Sequence, residues 1–262
     1  MQLARSCLAT AILATLSSAA LALQPLITDD TGTQGAGGKQ FEVGYVNKDA
    51  SLAGDATQTR TLPLVFTYGA TQTLDLYIGV NPTMIRSNVP GVDADGLGNT
   101  ALGVKWRFFE NEGSGTSMAL KPEVRLPVSS SQEASGLGAG ATSYGLALIL
   151  SQDVSFGAIH FNLAGGRDEF SNTSLLPSAN TVRASVAPVW DINEQWKLAL
   201  EVGHESVSSA GDTTTSQFVQ IGAIFSPSKD LDLALGILRS NDNATPQTST
   251  TTATMGLTWR FC

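Results

Sequence analysis

Residues 252–262, at the end of the chain, read TATMGLTWRFC. Every second residue of this segment is apolar: Ala253, Met255, Leu257, Trp259 and Phe261. The residues between them are polar or glycine. A period of two indicates a β-strand with one apolar face, and here the largest aromatic side chains of that face lie at its tip. A half-buried strand of a soluble protein and a membrane strand both fit this pattern, so the rest of the sequence has to distinguish them.

The composition favours β structure. Of the 262 residues, 42% are hydrophobic and only 15% are charged, so the chain is poor in the Lys, Glu and Arg residues that favour helices. The length allows one large all-β domain. The formal net charge of −8 gives no support to nucleic-acid binding, which needs a basic surface.

Residues 1–22 have the features of a secretory signal peptide. Arg5 precedes an apolar run that ends in the sequence ALA, a cleavage pattern of small residues. A membrane anchor is the weaker alternative, because the apolar run is short and is interrupted by Thr and Ser. We therefore predict that the mature chain starts at Leu23. Its single cysteine is then Cys262, which excludes an intramolecular disulfide and a cysteine metal site.

Alternation with a period of two recurs along the whole mature chain. Most of the alternating segments approach the ~9–11 residues that a tilted strand needs to cross a bilayer, and no apolar run reaches the ~20 residues of a membrane helix. The predicted strands number twelve: residues 39–47, 59–69, 73–85, 100–109, 117–128, 143–152, 158–167, 181–191, 196–205, 216–226, 231–239 and 252–261.

The connections between these strands are alternately short and long. Residues 70–73 and 192–195 are examples of the short connections. The six long connections are residues 48–58, 86–99, 129–142, 168–180, 206–215 and 240–250. In an up-and-down arrangement, all long loops would lie at one end of the sheet. This asymmetry is typical of bacterial outer-membrane barrels, which have short periplasmic turns and longer extracellular loops.

One face of every predicted strand is uncharged, whereas the opposite face carries charges among Gly, Ala, Ser and Thr. A charge near mid-bilayer on the lipid face costs about 2–4 kcal/mol, so we expect the uncharged face to contact lipid. Lys197 shares the charged face by parity. The other charged residues of that face are the predicted lumen-lining residues Glu42, Asp75, Lys105, Arg107, Lys121, Glu123, Arg125, Arg183, Glu201, Asp232 and Arg260.

The aromatic residues favour a membrane barrel over a soluble all-β fold. All four Trp lie on the apolar face, within a few residues of a short turn or of the C-terminus. Aromatic rings concentrate at a membrane–water interface, whereas core aromatics of a soluble protein would be scattered in height. The predicted aromatic girdle consists of Phe41, Tyr68, Trp106, Phe108, Trp190, Trp196, Phe225, Trp259 and Phe261.

We therefore predict an all-β fold, a twelve-stranded up-and-down antiparallel transmembrane β-barrel over residues 39–262, in the bacterial outer membrane. A closed barrel leaves no backbone group unpaired in lipid, so the last strand should pair with the first. Both strands meet at the periplasmic rim, with Arg260 and Glu42 on the lumen face. We predict an ion pair between these two side chains across the closing seam.

The segment QPLITDDTGTQGAGGKQFEVGY, residues 24–45, resembles the opening of the outer-membrane family named for the meta-pathway of phenol degradation. The segment GLGNTALGVKWRFF, residues 96–109, is similar to that family's glycine-rich lead into a strand. The segment KPEVRLPV, residues 121–128, resembles the strand after it, and the strand layout is similar over nearly all of the mature chain. The resemblance implies an outer-membrane pore or transporter, for solutes that include aromatic compounds, and fixes no substrate.

Residues 23–38 are too rich in glycine and turn-forming residues to be a strand. Two interpretations are open. The segment is either a periplasmic tail that leads into the barrel, or a small plug whose Asp29 and Asp30 meet lumenal bases.

The charges of one hairpin also allow two interpretations. Lys105, Arg107, Lys121, Glu123 and Arg125 all lie on the inner face by parity. They form either a positive wall that favours anionic or polarisable solutes, or a salt-bridge network that fills a narrow barrel. The two are not exclusive, since the predicted lumenal bases, with Lys197 included, exceed the acids by only seven to five.

The sequence thus predicts a channel for passive uptake of small solutes, with lipid, lipopolysaccharide, the barrel-assembly machinery and the solute as partners. A structural barrel that displays its long loops to surface partners is one alternative. A lipid-modifying enzyme is another: His204 and Ser206 share an outward face, but no third group orients the imidazole. Asp93 and Asp95 lie in a segment that lacks the other ligands of a calcium loop, so no metal or cofactor is predicted.

Overall fold

The structure, a computed structural model, describes residues 24–173 and 176–262. The predicted signal peptide, residues 1–22, lies outside the described residues. Within them, no helix is long and apolar enough to cross a membrane.

Almost all regular structure is β. The one described helix, α1 (Ser130–Ala134), begins at Ser129, whose side chain accepts a hydrogen bond from the backbone N–H of Gln132. The strands are β1 (Lys39–Leu52), β2 (Asp55–Thr61), β3 (Leu64–Gly69), β4 (Leu74–Val80), β5 (Pro82–Ser87), β6 (Ala94–Leu97), β7 (Ala101–Asn111), β8 (Thr116–Arg125), β9 (Ser143–Val154), β10 (Gly157–Asp168), β11 (Ala179–Asp191), β12 (Trp196–Ser209), β13 (Asp212–Ser228), β14 (Leu231–Asp242) and β15 (Thr248–Phe261).

These fifteen segments form twelve barrel strands. β2 and β3 are two parts of one interrupted strand, because β1 pairs with both of them. A second interrupted strand consists of β4 and β5, and a third of β6 and β7, because β5 pairs with β6 where β4 pairs with β7. Every pairing is antiparallel. β15 pairs with β1 over its whole length, from Lys39 opposite Phe261 to Leu52 opposite Thr248. The prediction of a closed twelve-stranded barrel, with the last strand on the first, is confirmed.

Two of the six predicted long loops are wrong. Residues 48–58 and 206–215 are extensions of the strands, each closed by a two-residue Ala-Gly turn in which both residues have positive φ. Such turns match the right-handed twist of a hairpin. The apolar alternation stops at the edge of the membrane, but β-pairing continues beyond it through polar residues rich in Thr and Ser, so the sequence pattern underestimated the strand length.

The burial pattern is the reverse of that in a soluble protein. Leu148, Leu163 and Leu235 are 42%, 55% and 58% exposed on the outer wall. On the inner wall, Glu201 and Gln220 are 0% and 1% exposed. Apolar side chains therefore cover the outside, where lipid would contact them, and polar side chains fill the interior.

The aromatic residues of the predicted girdle form contacts at the end of the barrel that has the short turns. The predicted topology places this end in the periplasm and the other end outside the cell, and the two ends are named accordingly. The ring pairs Trp106–Phe108, Trp196–Phe225 and Trp259–Phe261 have centroid distances of 5.8, 4.7 and 4.6 Å. Two rings were missed by the sequence reasoning. Phe109 is 43% exposed beside Phe108 because a register shift lies between Arg107 and Phe109, and Phe156, in a turn, stacks on Trp190 at 5.5 Å.

Candidate functional site

The N-terminal segment, residues 24–38, lies inside the barrel. It starts against the inner wall of β13–β15 and ends at the periplasmic rim, where Gly37 donates a backbone hydrogen bond to Gly69 and Gly69 donates one to Gly38. The carbonyl oxygen of Gly35 would lie 1.8 Å from a Cβ at Gly69, so only glycine allows this approach. Between its ends the segment follows the inner wall as an arc.

Glu201 on β12 makes the densest polar contact with this segment. Its carboxylate accepts hydrogen bonds from the backbone N–H groups of Ile27 and Thr28, at 2.8 and 2.9 Å, and from the Thr28 hydroxyl at 2.8 Å. The Thr28 and Ser185 hydroxyls also lie 2.6 Å apart. Because the Glu201 side chain is fully buried, loss of these donors would leave an unsatisfied buried carboxylate. Glu201 therefore fixes the middle of the arc.

Packing on small side chains adds to this anchoring. Leu26 is 5% exposed and packs on Ala187, Val189 and Ala199 of β11 and β12. Burial of a leucine side chain contributes about 2 kcal/mol.

Further along the wall, Pro25 sits in a notch formed by glycines. A Cβ at Gly222 would lie 2.5 Å from Pro25 Cγ, and one at Gly236 would lie 2.8 Å from Pro25 Cβ. The Pro25 carbonyl accepts a hydrogen bond of 2.6 Å from Gln220 Nε2.

Asp29 and Asp30 lie beside the lysines of β7 and β8. Lys105 Nζ is 3.1 Å from Asp29 Oδ1 and 3.2 Å from Asp30 Oδ1, and Lys121 Nζ is 2.6 Å from Asp29 Oδ2. The side chains of Asp29, Lys105 and Lys121 are all between 10% and 12% exposed. Asn162 holds the backbone of Asp29 by a mutual pair of hydrogen bonds of 3.2 and 2.8 Å. One carboxylate of the segment thus joins two lysines of the wall.

The arc divides the lumen into two cavities. The cavity on the extracellular side has a volume of about 100 Å³ and is lined by β8–β11, with Arg125, Arg183 and a row of small residues from Gly145 to Ser185. The cavity on the periplasmic side has a volume of about 310 Å³ and is lined by the arc and by β1, β3, β4, β7, β8 and β13–β15. Asp29, Tyr77 and Lys121 line both cavities. We call these three residues the septum.

The side chain of Tyr77, a septum residue, projects into the lumen and its ring lies over Gly103. A Cβ at Gly103 would lie 2.1 Å from the Tyr77 ring. The Tyr77 hydroxyl donates to Glu123 Oε2 at 3.0 Å, and Lys121 Nζ lies 5.1 Å from the ring centroid. Tyr77 is not among the predicted lumen-lining residues because these were all charged, although its parity places it on the inner face.

The remaining inward charges are largely paired. Arg125 contacts Asp168 at 2.7 Å and Glu123 at 3.7 Å. Arg183 contacts Glu205 at 3.3 Å. Asp75 accepts the backbone N–H of Gln34 with both oxygens, at 3.1 Å each. Glu42 is 5% exposed and lines the periplasmic cavity.

At the periplasmic rim one predicted contact is wrong. Arg260 pairs with Asp232 on β14, at 2.7 Å, instead of with Glu42 across the seam. Thr258 lies opposite both Glu42 and Asp232 in the register, so both carboxylates are diagonal neighbours of Arg260. Asp232 is the partner that Arg260 reaches.

Arg107 and Lys197 are the other two cations of this rim, and each contacts groups close to its own turn. Arg107 contacts Glu110 at 3.2 Å and donates to the carbonyl of Gln72 at 3.3 Å. Lys197, whose side chain is 46% exposed, contacts Asp191 at 2.8 Å across a short turn, so it lies at the solvent-exposed rim.

At the extracellular mouth, the loop that contains α1 folds inward. Leu137 packs on Ile85 and Ala94, and Asn99 exchanges hydrogen bonds of 2.8 Å with the backbone of Ala139. Glu133 accepts hydrogen bonds from the Ser171 hydroxyl and N–H and from the backbone N–H of Gly140. Burial favours the neutral acid, but these donors outweigh it and hold the pKa of Glu133 below its usual value.

The alternative of a lipid-modifying enzyme depends on a partner that orients the imidazole of His204. His204 and Ser206 lie on the outer face of β12, and among the described residues none hydrogen-bonds the imidazole of His204. No group of three or more His, Cys, Asp or Glu in the described ranges could hold a metal ion.

Comparison with known proteins was made on sequence and on structure. The family described as "Putative MetA-pathway of phenol degradation" matches residues 27–261. No curated protein matches the chain. An outer-membrane channel from Pseudomonas putida F1 superimposes with a TM-score of 0.70 at 14% identity, over 90% of this chain and 100% of that one. The β domain of the Bordetella autotransporter BrkA gives 0.56 at 11% identity, over 86% and 100%. The NanC porin gives 0.50 at 11% identity, over 83% and 98%. At these identities the structural likeness shows a shared fold.

Proposed function

The chain belongs to this family of phenol-degradation outer-membrane proteins, and on that premise we propose that it is a channel for passive uptake of small solutes. The barrel wall, with its apolar outside and aromatic girdle, places the protein in the bacterial outer membrane. The proposed channel is the lumen itself, narrowed by the N-terminal segment acting as a plug.

The observation that carries the proposal is the division of the lumen into two cavities that meet at the septum. Few residues separate them, because Asp29, Tyr77 and Lys121 line both. A solute that crosses the barrel has to pass these side chains. Twelve strands leave little lumen once side chains fill it, so a small displacement of the arc decides whether the cavities connect.

The lining suggests the size and polarity of the cargo. Cavities of about 100 and 310 Å³ hold molecules of a few to some ten non-hydrogen atoms. The family description points to aromatic compounds, and the ring of Tyr77 at the septum offers a contact for a planar ring.

Conductance in planar bilayers tests the proposal. We expect a low or flickering conductance for the mature protein and a stable, severalfold larger one for a variant that lacks residues 24–33. The remaining residues 34–38 keep the hydrogen bonds of the rim.

A reversible lock supplies the matched control. The Thr31 and Ser117 hydroxyls are 2.6 Å apart, so Thr31→Cys with Ser117→Cys, in a Cys262→Ser background, should form a disulfide. The oxidised protein should stay closed and the reduced one should return to wild-type behaviour. If the variant without residues 24–33 inserts and folds but carries no current, the channel proposal is wrong and a surface-interaction barrel is favoured. Contact with lipopolysaccharide and with the assembly machinery remains a prediction.

A further inference from the structure

We propose that Lys105 and Lys121 form a binding site for a small organic carboxylate, which the plug residue Asp29 occupies in the closed state. The inference rests on the proposed channel function and names a solute class for it. A solute carboxylate would compete with Asp29 for the two lysines, release the plug at the septum and so open its own path.

The geometry of the contact is that of a carboxylate receptor. Lys105 Nζ contacts Oδ1 of Asp29 at 3.1 Å, and Lys121 Nζ contacts Oδ2 at 2.6 Å. Each oxygen of one planar carboxylate thus has its own ammonium group. Acetate or benzoate presents the same two oxygens as the aspartate side chain, one for each ammonium group, whereas chloride offers a single centre.

The wall holds the two lysines in place independently of Asp29. They come from the adjacent strands β7 and β8, and Lys121 Nζ lies 5.1 Å from the centroid of the Tyr77 ring. Tyr77 is itself held by its hydrogen bond to Glu123. Lys105 lies opposite Asp75 of β4 in the strand register, so a carboxylate of the wall remains beside it. The site therefore persists when Asp29 leaves.

A solute can reach the site. Lys105 and Lys121 both line the periplasmic cavity, and Lys121 also lines the extracellular one. In the closed state the carboxylate of Asp29 occupies the two ammonium groups, so a solute carboxylate in either cavity has to displace it. The extracellular cavity is lined by three bases, Lys121, Arg125 and Arg183, and by three carboxylates, Asp29, Glu123 and Asp168, so its net charge does not exclude an anion.

Competition with a tethered carboxylate sets the concentration range. Asp29 competes as an intramolecular ligand, whose effective concentration is in the millimolar range. A ligand that binds only the released state increases the population of that state by the factor 1 + [L]/Kd, so acetate at ten times Kd should raise it about tenfold.

Labelling of a plug cysteine measures release without any need for current. In the folded protein in lipid vesicles, Thr31→Cys in a Cys262→Ser background should react slowly with a maleimide, because Thr31 is only 4% exposed in the closed plug. Sodium acetate or benzoate should raise the rate by up to about tenfold, whereas sodium chloride at the same ionic strength should not. Labelling of the exposed Cys262 in the wild type should be equal in all salts.

Three variants separate this inference from the channel proposal. Asp29→Asn should label fast in chloride, with no further effect of acetate, and Lys121→Met should lose the response to acetate. Asp95→Asn, which removes an exposed carboxylate paired with Arg86, should respond like the wild type. Equal rates in acetate and chloride for the wild type, or an undiminished acetate response in Asp29→Asn, would overturn the carboxylate site. In that case, current through the variant that lacks residues 24–33 would still support the channel proposal.

Discussion

Leu148 and Ala147 are adjacent residues of β9 with opposite environments. Leu148 is 42% exposed on the outer wall, and its neighbours in the register are Leu120 and Leu163. Ala147 lines the extracellular cavity and lies opposite Lys121. Replacing each in turn by arginine places the same charge on the two sides of the wall, one residue apart. We expect Leu148→Arg to be strongly destabilising and Ala147→Arg to be mild.

The position of Leu148 sets the magnitude. β9 has 12 residues and Leu148 is the sixth. At ~3.4 Å per residue and a tilt of about 40°, the strand rises roughly 30 Å, so Leu148 lies near the middle of the hydrocarbon layer. An arginine there costs about 2–4 kcal/mol of folding free energy. Ala147→Arg remains in the polar lumen, where its cost is the filling of a small cavity beside a lysine.

The assay is reversible folding into phosphatidylcholine vesicles, followed by guanidinium titration and by heat-modifiable migration on gels. Leu148→Arg should lower the free energy of unfolding by the full 2–4 kcal/mol. Ala147→Arg should stay within about 1 kcal/mol of the wild type and should reduce conductance in the variant without residues 24–33. Equal losses in both variants, or a larger loss in Ala147→Arg, would refute the assignment of the two faces.

Three further predictions test topology and plug. In intact cells that express the protein with Cys262→Ser, a cysteine placed in residues 88–93 should react with an impermeant thiol reagent, and one in residues 112–115 should not. The reverse pattern would show that the predicted orientation of the barrel is wrong. Glu201→Gln removes the charge that three donors share, so amide hydrogen exchange of the N-terminal segment should accelerate about 5- to 150-fold, as a loss of about 1–3 kcal/mol implies. Gly222→Val should displace Pro25, whose ring would lie 2.5 Å from the new Cβ, and should increase proteolysis of the segment while β-sheet content stays unchanged.

The sequence predicted the barrel because the requirements of a membrane are periodic. Lipid on one side and water on the other impose strict alternation, and this alternation identified all twelve strands and the closing pair. It failed where the constraint ends. Residues 48–58 and 206–215 form paired hairpins in water, where both faces are polar and no alternation marks the strands. The Ala-Gly pairs at their tips, flanked by Thr and Ser, were the available signal.

Contacts inside the barrel were harder to predict. Parity allowed Arg260 to reach Glu42 or Asp232, and only side-chain geometry selects Asp232. The charge pattern showed lysines that could meet Asp29 and Asp30, but it could not show which oxygens they contact. Uncharged inward residues such as Tyr77 had no signal beyond parity, since Gly103 beneath the ring is distant in sequence.

The arrangement of the plug contacts explains how a firmly held segment can still gate. Its N-terminal part is fixed by the glycine notch at Pro25 and by Glu201 at Thr28, and its C-terminal part by Asp75 at Gln34 and by Gly69 at the rim. The residues between, 29–33, are held by the ion pairs to Lys105 and Lys121, by the two hydrogen bonds between Asn162 and the backbone of Asp29, and by the contacts of Thr31 to the wall. Opening the septum therefore requires a local shift of these few residues, with both anchors intact. A solute carboxylate can replace the two ion pairs that Asp29 loses in such a shift, so opening costs less free energy than removal of the whole segment.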